Sequence, residues 1–346
     1  MWSSVDQQTK INSFVNGLQV GKVHHAYLVL GPQNSGKGFF AVKMAQAVNC
    51  TGTNPPCGTC VPCSKIWLGT HPDVEMIDSH SFNESTANAK ILKDVAREIR
   101  NKANLRPYEA KYRVFLIGEA KKMTLHTANA LLKLLEEPEP NVLYILVASS
   151  EQDVLPTVAS RCQKIRLNKM SVTDTVEFLI QEAGVDISDA TEMAQLAQAG
   201  IEWEGDREND RTNLLQIRAR FANISSVIES SLKSQLKYAD QLVSKWSEND
   251  ETVRDEIQLW LNWWRDLLMV KIGMPSLVIC SSQLDELDRN ADKYEVSGIK
   301  SAIAVIQETI DCLDHNVNPK LAIPYMVLHS GLKNVTHGAN GFAFKQ

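Results

Sequence analysis

The chain has 346 residues, 44% hydrophobic and 22% charged, with 36 basic against 41 acidic residues and a net charge of −5. This length holds two or three domains with sizeable cores, and the charge balance argues against a strongly basic, free-standing nucleic-acid binder, leaving contact through a local patch or a complex open. No run of about 18 apolar residues marks a membrane span, and the first residues lack the basic-then-apolar order of a secretory signal. A cytosolic chain is therefore the expectation, and its seven cysteines point to metal binding or burial before disulfides.

Ala26–Leu30 reads as a β-rich run ending at Gly31. The residues that follow are Gly31-Pro32-Gln33-Asn34-Ser35-Gly36-Lys37-Gly38, then a helical pattern over 39–48. Strand, glycine-rich turn and helix are the setting of a phosphate-binding P-loop. Backbone N–H groups at the helix start cradle phosphates and Lys37 reaches the outer ones, so Gly31, Gly36 and Lys37 are candidate nucleotide contacts. The last motif position requires a Ser or Thr hydroxyl to ligate Mg²⁺. Here it is Gly38, which has no side chain.

Cys50, Cys57, Cys60 and Cys63 come next, spaced C-x6-C-x2-C-x2-C, with Gly58 for the turn. Four thiolates suit a closed, tetrahedral, structural Zn²⁺ site with no position left for water. The plainer alternative is buried free cysteines, which is the reading for Cys162, Cys280 and Cys312. Apolar runs recur at Val74–Ile77, Arg113–Ile117, Val142–Ala148 and 163–167, with helical stretches at 91–103 and 125–137. In the latter, Ala128, Leu131, Leu132 and Leu135 keep i, i+3, i+4, i+7 spacing until Pro138 stops the helix. The 113–117 run ends in Gly118-Glu119, where a metal-holding Walker B element ends in Asp-Glu. Glu119 can still polarise a water, or is a solvated acid at a strand end, but the metal carboxylate is missing.

Ser160-Arg161-Cys162 precedes the last run. By itself Arg161 is a surface arginine in a loop. Strands separated by helices imply βαβ units and a parallel sheet. Beyond about residue 168 two short helices are predicted, 172–183 and 189–199, then a charged, exposed loop over 202–211. From about 212 the chain reads as wholly helical, with apolar stripes at Ile257, Trp260, Leu261, Trp264, Leu267 and Leu268, and at Ile303, Ile306, Ile310 and Leu313. Trp263 falls off its stripe, in the core or in an interface. A frayed tail is expected from about Thr336.

Taken together, His25-Ala-Tyr-Leu28, the P-loop, the four cysteines, Thr70-His71-Pro72-Asp73, the 129–138 segment and Ser160-Arg161-Cys162 occur in the order of one family. Over about residues 20–170 the chain resembles the clamp-loader subunits of bacterial DNA polymerase III, within the AAA+ family, most closely their delta-prime branch. Asn316-Val-Asn318-Pro-Lys-Leu321 is a weaker match to the family's final collar helix. The resemblance implies an α/β AAA+ domain with a RecA-like parallel sheet (1–167, zinc module at 50–63), a small helical lid (168–210) and an all-α collar for oligomerisation (211–335), before a tail (336–346). It implies a pentameric ring with gamma or tau ATPases and a delta subunit, acting on a sliding clamp and primed DNA. Cys50, Cys57, Cys60 and Cys63 would hold structural zinc.

The resemblance also implies that Arg161 reaches in trans into the ATP site of a gamma-type neighbour, where a guanidinium stabilises charge on the transferring phosphoryl group. Gly38 and Gly118 depart from an ATPase and fit a stator whose own nucleotide site is degenerate, with ATP bound by the neighbour. The first sensor would fall near Ser149 or Ser150, and no clear second sensor stands around 200–211, where Arg207 and Arg211 lie. The alternatives are an active gamma/tau-like ATPase, a free-standing nucleic-acid binder built on the zinc knuckle, and an unrelated P-loop kinase.

Overall fold

A computed structural model describes residues 5–77, 99–118, 120, 123, 125–181, 184–201, 207–248, 250–315 and 317–330. The chain divides into two compact units, Met1–Phe178 and Leu179–Gln346.

The first unit is built on a five-stranded sheet in the order β2-β3-β4-β1-β5. The strands are β1 (Ala26–Leu30), β2 (Val74–Ile77), β3 (Arg113–Ile117), β4 (Val142–Ala148) and β5 (Gln163–Arg166). Every pairing is parallel, as the alternation of strands and helices predicts. Side chains alternate between sheet faces, so one strand feeds two cores. Leu28, Phe115, Tyr144 and Leu146 pack on one face with Leu131 and Leu135 of the helix Leu125–Glu136. Val29, Val114, Leu143 and Ile145 pack on the other, against Ile11 and Phe14 of α1 (Val5–Gln19) and Phe40 and Met44 of α2 (Lys37–Asn49). Central strands buried on both faces read as unbroken apolar runs, and all seven residues of β4 are buried. The edge strand β5 is largely exposed, apart from half-buried Ile165, and its Lys164 and Arg166 both pair with Glu151. Charge on an edge strand guards it against pairing with other chains.

The remaining helices of this unit are α3 (Val61–Trp67), α4 (Leu125–Glu136), α5 (Pro156–Ala159) and the start of α6 (Val172–Gln181). The helical stretch expected at 91–103 is described only from Ile99, which is helical through Ala103.

The regular elements among the second unit's described residues are all helical, the α-helices after α6 being α7 (Ile187–Gln198), α8 (Arg207–Glu229), α9 (Leu232–Glu248), α10 (Asp250–Lys271), α11 (Leu284–Ala291), α12 (Val296–Asp314) and α13 (Pro319–His329). Helix α8 corrects the expected loop over 207–211, because it begins at Arg207, and 202–206 lie outside the described residues. Its buried stripe of Leu214, Ile217, Phe221, Ile224 and Ile228 organises a long helix whose charged first turns extend it. Trp263 is 1% exposed and meets Trp264 edge-on at 5.0 Å, so it belongs to the core. Asn318 caps α13 by accepting the Lys320 N–H at 3.0 Å, with Pro319 at the first helical position, which accounts for the Asn-Pro pair. The tail expected from Thr336 lies outside the described residues. Among the described residues no helix is long and apolar enough to cross a membrane.

Candidate functional site

The phosphate loop lies at the carboxyl end of β1, between Gly31, whose N–H donates to Ala148 at 3.2 Å, and the first turn of α2. Gly31 is dictated by packing: a Cβ there would stand 2.4 Å from Ser35 Oγ. Gly36 is dictated by backbone, with φ of 70°, a region glycine enters without strain. Lys37 donates to the Pro32 carbonyl at 3.3 Å, which holds its ammonium over the loop. Gln7 of α1, 2% exposed, donates to the Ser35 carbonyl at 2.6 Å and braces the loop from beneath. Sequence reasoning missed Gln7. The signal was its place on the buried stripe of Ile11, Phe14 and Val15 at helical spacing, where a polar residue must find a partner.

Gly38 and Gly118 are dictated by neither. A Cβ on Gly38 meets nothing within 4 Å, and one on Gly118 meets only the Ile77 carbonyl at an ordinary 3.7 Å. The fold has room for a side chain at both of these positions, where the sequence reading expects a hydroxyl and a carboxylate in an active ATPase. Glu119 lies outside the described residues. Ser149 and Ser150, the expected place of a first sensor, follow β4, whose last residue Ala148 accepts the Gly31 N–H. Ser150 also caps the short turn Glu151–Asp153, its N–H donating to Asp153 at 2.7 Å. Arg207 and Arg211 fall within α8, and their side chains lie outside the described residues.

Arg161 is on the opposite side of the sheet. Tyr27 pairs with Gln163 and Leu30 with Arg166 in parallel register, so residues just before β5 lie at the amino end of β1. The phosphate loop lies at its carboxyl end. Six residues of strand register separate Arg161 from the partner position of Gly31, about 15–20 Å along the strand direction. The guanidinium is anchored twice: it donates to Glu136 Oε1 at 2.6 Å and to the Thr157 carbonyl at 2.8 Å. Around it a cavity of about 400 Å³ is lined by His24, His25, Leu135, Glu136, Ser160 and Cys162 among others. The sheet thus brings Gly31, Gly36 and Lys37 together and keeps Arg161 apart from them.

The four cysteines Cys50, Cys57, Cys60 and Cys63 converge, with all four sulfurs within 4.8 Å of one another. A Zn–S length of about 2.3 Å sets tetrahedral sulfurs about 3.8 Å apart, and Cys50 and Cys60 are separated by 3.9 Å. Backbone N–H groups point at the cluster: Gly52 and Cys57 donate to Cys50 Sγ, and Cys60 donates to Cys57 Sγ, at 3.3–3.4 Å. Such bonds favour thiolate, and those from Thr59 and Cys60 hold the Cys57 thiol below its ordinary range. Cysteine positions at the ends of two helices make this convergence: Cys50 ends α2 and Cys60 caps α3. Gln46 fastens the two by donating to the Cys63 carbonyl at 2.8 Å. The donor set fits a structural zinc ion.

Residues 6–171 match the family model described as DNA polymerase III, delta subunit. A DNA polymerase III subunit delta' of Bacillus subtilis is 25% identical over 317 residues, covering 90% of this chain and 92% of that protein. Subunit tau of Escherichia coli is 34% identical over 170 residues, 49% of this chain, and subunit tau of B. subtilis is 28% identical over 270 residues, 73% of this chain. Over residues 6–171, just under half of its length, the chain is similar to DNA polymerase III subunits of the gamma, tau and delta-prime type. It spans only 25% and 44% of the lengths of those two tau proteins. A solved gamma subunit-related protein of Thermotoga maritima aligns over 92% of this chain and 99% of its own, at 18% identity and a TM-score of 0.40. The fold assignment rests on strand order and parallel register instead.

The Thr70-His71-Pro72-Asp73 segment is a structural staple. The Asp73 side chain is fully buried. It accepts the N–H groups of Tyr108, Glu109 and Ala110 at 2.7–3.0 Å and the Arg113 guanidinium at 2.9 Å. His71 Nδ1 accepts the Asp73 N–H at 3.1 Å. Burial pushes the Asp73 carboxyl up, but its backbone donors and Arg113 outweigh this and hold it below the usual carboxylate range. The segment ties the start of β2 to the loop entering β3 and offers no group for chemistry.

Proposed function

We propose that this chain is a delta-prime-like stator in a pentameric AAA+ ring with a delta subunit and gamma or tau ATPases, which together place a sliding clamp on primed DNA. Its own nucleotide site is degenerate, and Arg161 completes the ATP site of the adjoining ATPase. The observation that carries this reading is the placement of Arg161 at the amino end of β5, remote from the Gly31–Lys37 loop. An arginine there has no role toward a phosphate bound to its own chain, yet it is half-exposed and available to another. Room at Gly38 and Gly118 supports the same reading: what is missing for Mg²⁺ is chemistry, and nothing in the packing enforces it. The four cysteines hold structural zinc, and the chain works in the cytoplasm.

The test is Arg161→Ala in the complex reconstituted with delta and tau-type subunits. Folding and assembly stay intact while DNA-stimulated ATPase falls about 10³-fold at the site it serves. An unchanged rate refutes the reading. A second reading, an active gamma/tau-like ATPase, draws on the 34% identity to tau and the retained Lys37. Mg²⁺-dependent turnover by the purified chain alone would establish it.

A further inference from the structure

We infer that Glu136 is a positioning residue for Arg161, holding its guanidinium ready for the neighbouring phosphate; this rests on the trans role proposed above. Glu136 is the last residue of α4, and its carboxylate receives a bond from one Arg161 nitrogen only, at 2.6 Å. The other terminal nitrogen is tied to the Thr157 carbonyl at 2.8 Å, at the start of α5. The two anchors come from separate helices, so they fix the plane of the fork. Neither is bidentate, and of the five N–H donors of a guanidinium the two bonds occupy two. A bidentate carboxylate would instead have covered one whole edge of the fork.

Stability does not explain the pair. Its side chains are 36% and 48% exposed, and exposed pairs contribute little. The anchor for Glu136 is firmer than the pair itself. Leu131 and Leu135, five residues behind and adjacent, are 1% and 2% exposed in the sheet core, and Pro138 ends the helix two residues later. The carboxylate therefore hangs from a fixed helix terminus beside the cavity lined by His24, His25 and Ser160. A long, rotamer-rich side chain that is already ordered loses less freedom when it docks. Glu136 supplies that ordering, and its contribution to the neighbour's reaction is orientation.

The experiment compares Glu136→Gln, Arg161→Ala and the double variant in the reconstituted complex, by DNA-stimulated ATPase with kcat and KM for ATP separated. Glutamine keeps the shape and removes the charge. The expected results are a kcat lowered about three- to tenfold in Glu136→Gln, an unchanged KM, and a double variant no slower than Arg161→Ala. That non-additivity identifies action through Arg161, which a general structural defect would not reproduce. Wild-type kcat in Glu136→Gln overturns the inference, as does a raised kcat, which would make Glu136 a restraint. An additive double variant overturns it too. If Arg161→Ala itself has no effect, the trans reading fails first and is recognised separately.

Discussion

Asp73 shows how a short motif can be structural. Its carboxylate, itself fully buried, satisfies three backbone N–H groups and a guanidinium, so its removal takes the partner from several donors at once. Asp73→Ala is expected to cost about 2–4 kcal/mol in chemical denaturation; a loss below about 0.5 kcal/mol would contradict the staple. Because its folded carboxyl titrates below the unfolded one, the stability it contributes is present above the unfolded value and disappears as pH falls through the folded one. Wild type should therefore lose stability on the acid side of about pH 4 more steeply than Asp73→Asn. Residues of this kind were only partly legible. The P-loop glycines and the cysteines announce themselves by type and spacing, and Arg161 stands out only through the resemblance. Gln7, Glu136 and the partners of Asp73 do not, because their roles arise from contacts with segments 28, 25 and 35–40 residues away.

Among the elements, the cysteine module depends on helix ends meeting. Metal analysis should find one zinc per chain, and Cys60→Ser or strong chelation should release it and lower the melting temperature by several degrees. A metal-free chain with unchanged melting would refute a zinc staple. Gly52 is tightly placed, since a Cβ would stand 3.0 Å from Cys57 Sγ and press on the cluster. Gly38, in contrast, has open space in the first turn of α2. Gly38→Ser should fold normally and gain up to about 0.5 kcal/mol from helix propensity; a destabilised variant would show that the glycine is structural. The buried strands were legible as apolar runs because they carry helices on both faces. The start of α8 was not, because charge density says little about helix content when an apolar stripe follows.

Across the whole molecule, a parallel sheet separates two chemical ends. The carboxyl end of β1 carries the Gly31–Lys37 loop, with glycine at positions 38 and 118, and the amino end of β5 carries an anchored guanidinium. The alternation of strands and helices made the sheet predictable, but only its register reveals that Arg161 cannot serve the Gly31–Lys37 loop. The purified chain should accordingly show negligible Mg²⁺-dependent ATP turnover. The most direct test of the central claim is the structure of the assembled ring, trapped with a non-hydrolysable ATP analogue, by electron cryomicroscopy. The account predicts the Arg161 guanidinium within hydrogen-bonding reach, about 3 Å, of the γ-phosphate bound to the adjoining subunit. A guanidinium more than about 10 Å from every bound triphosphate, well beyond the span of two hydrogen bonds, would contradict it.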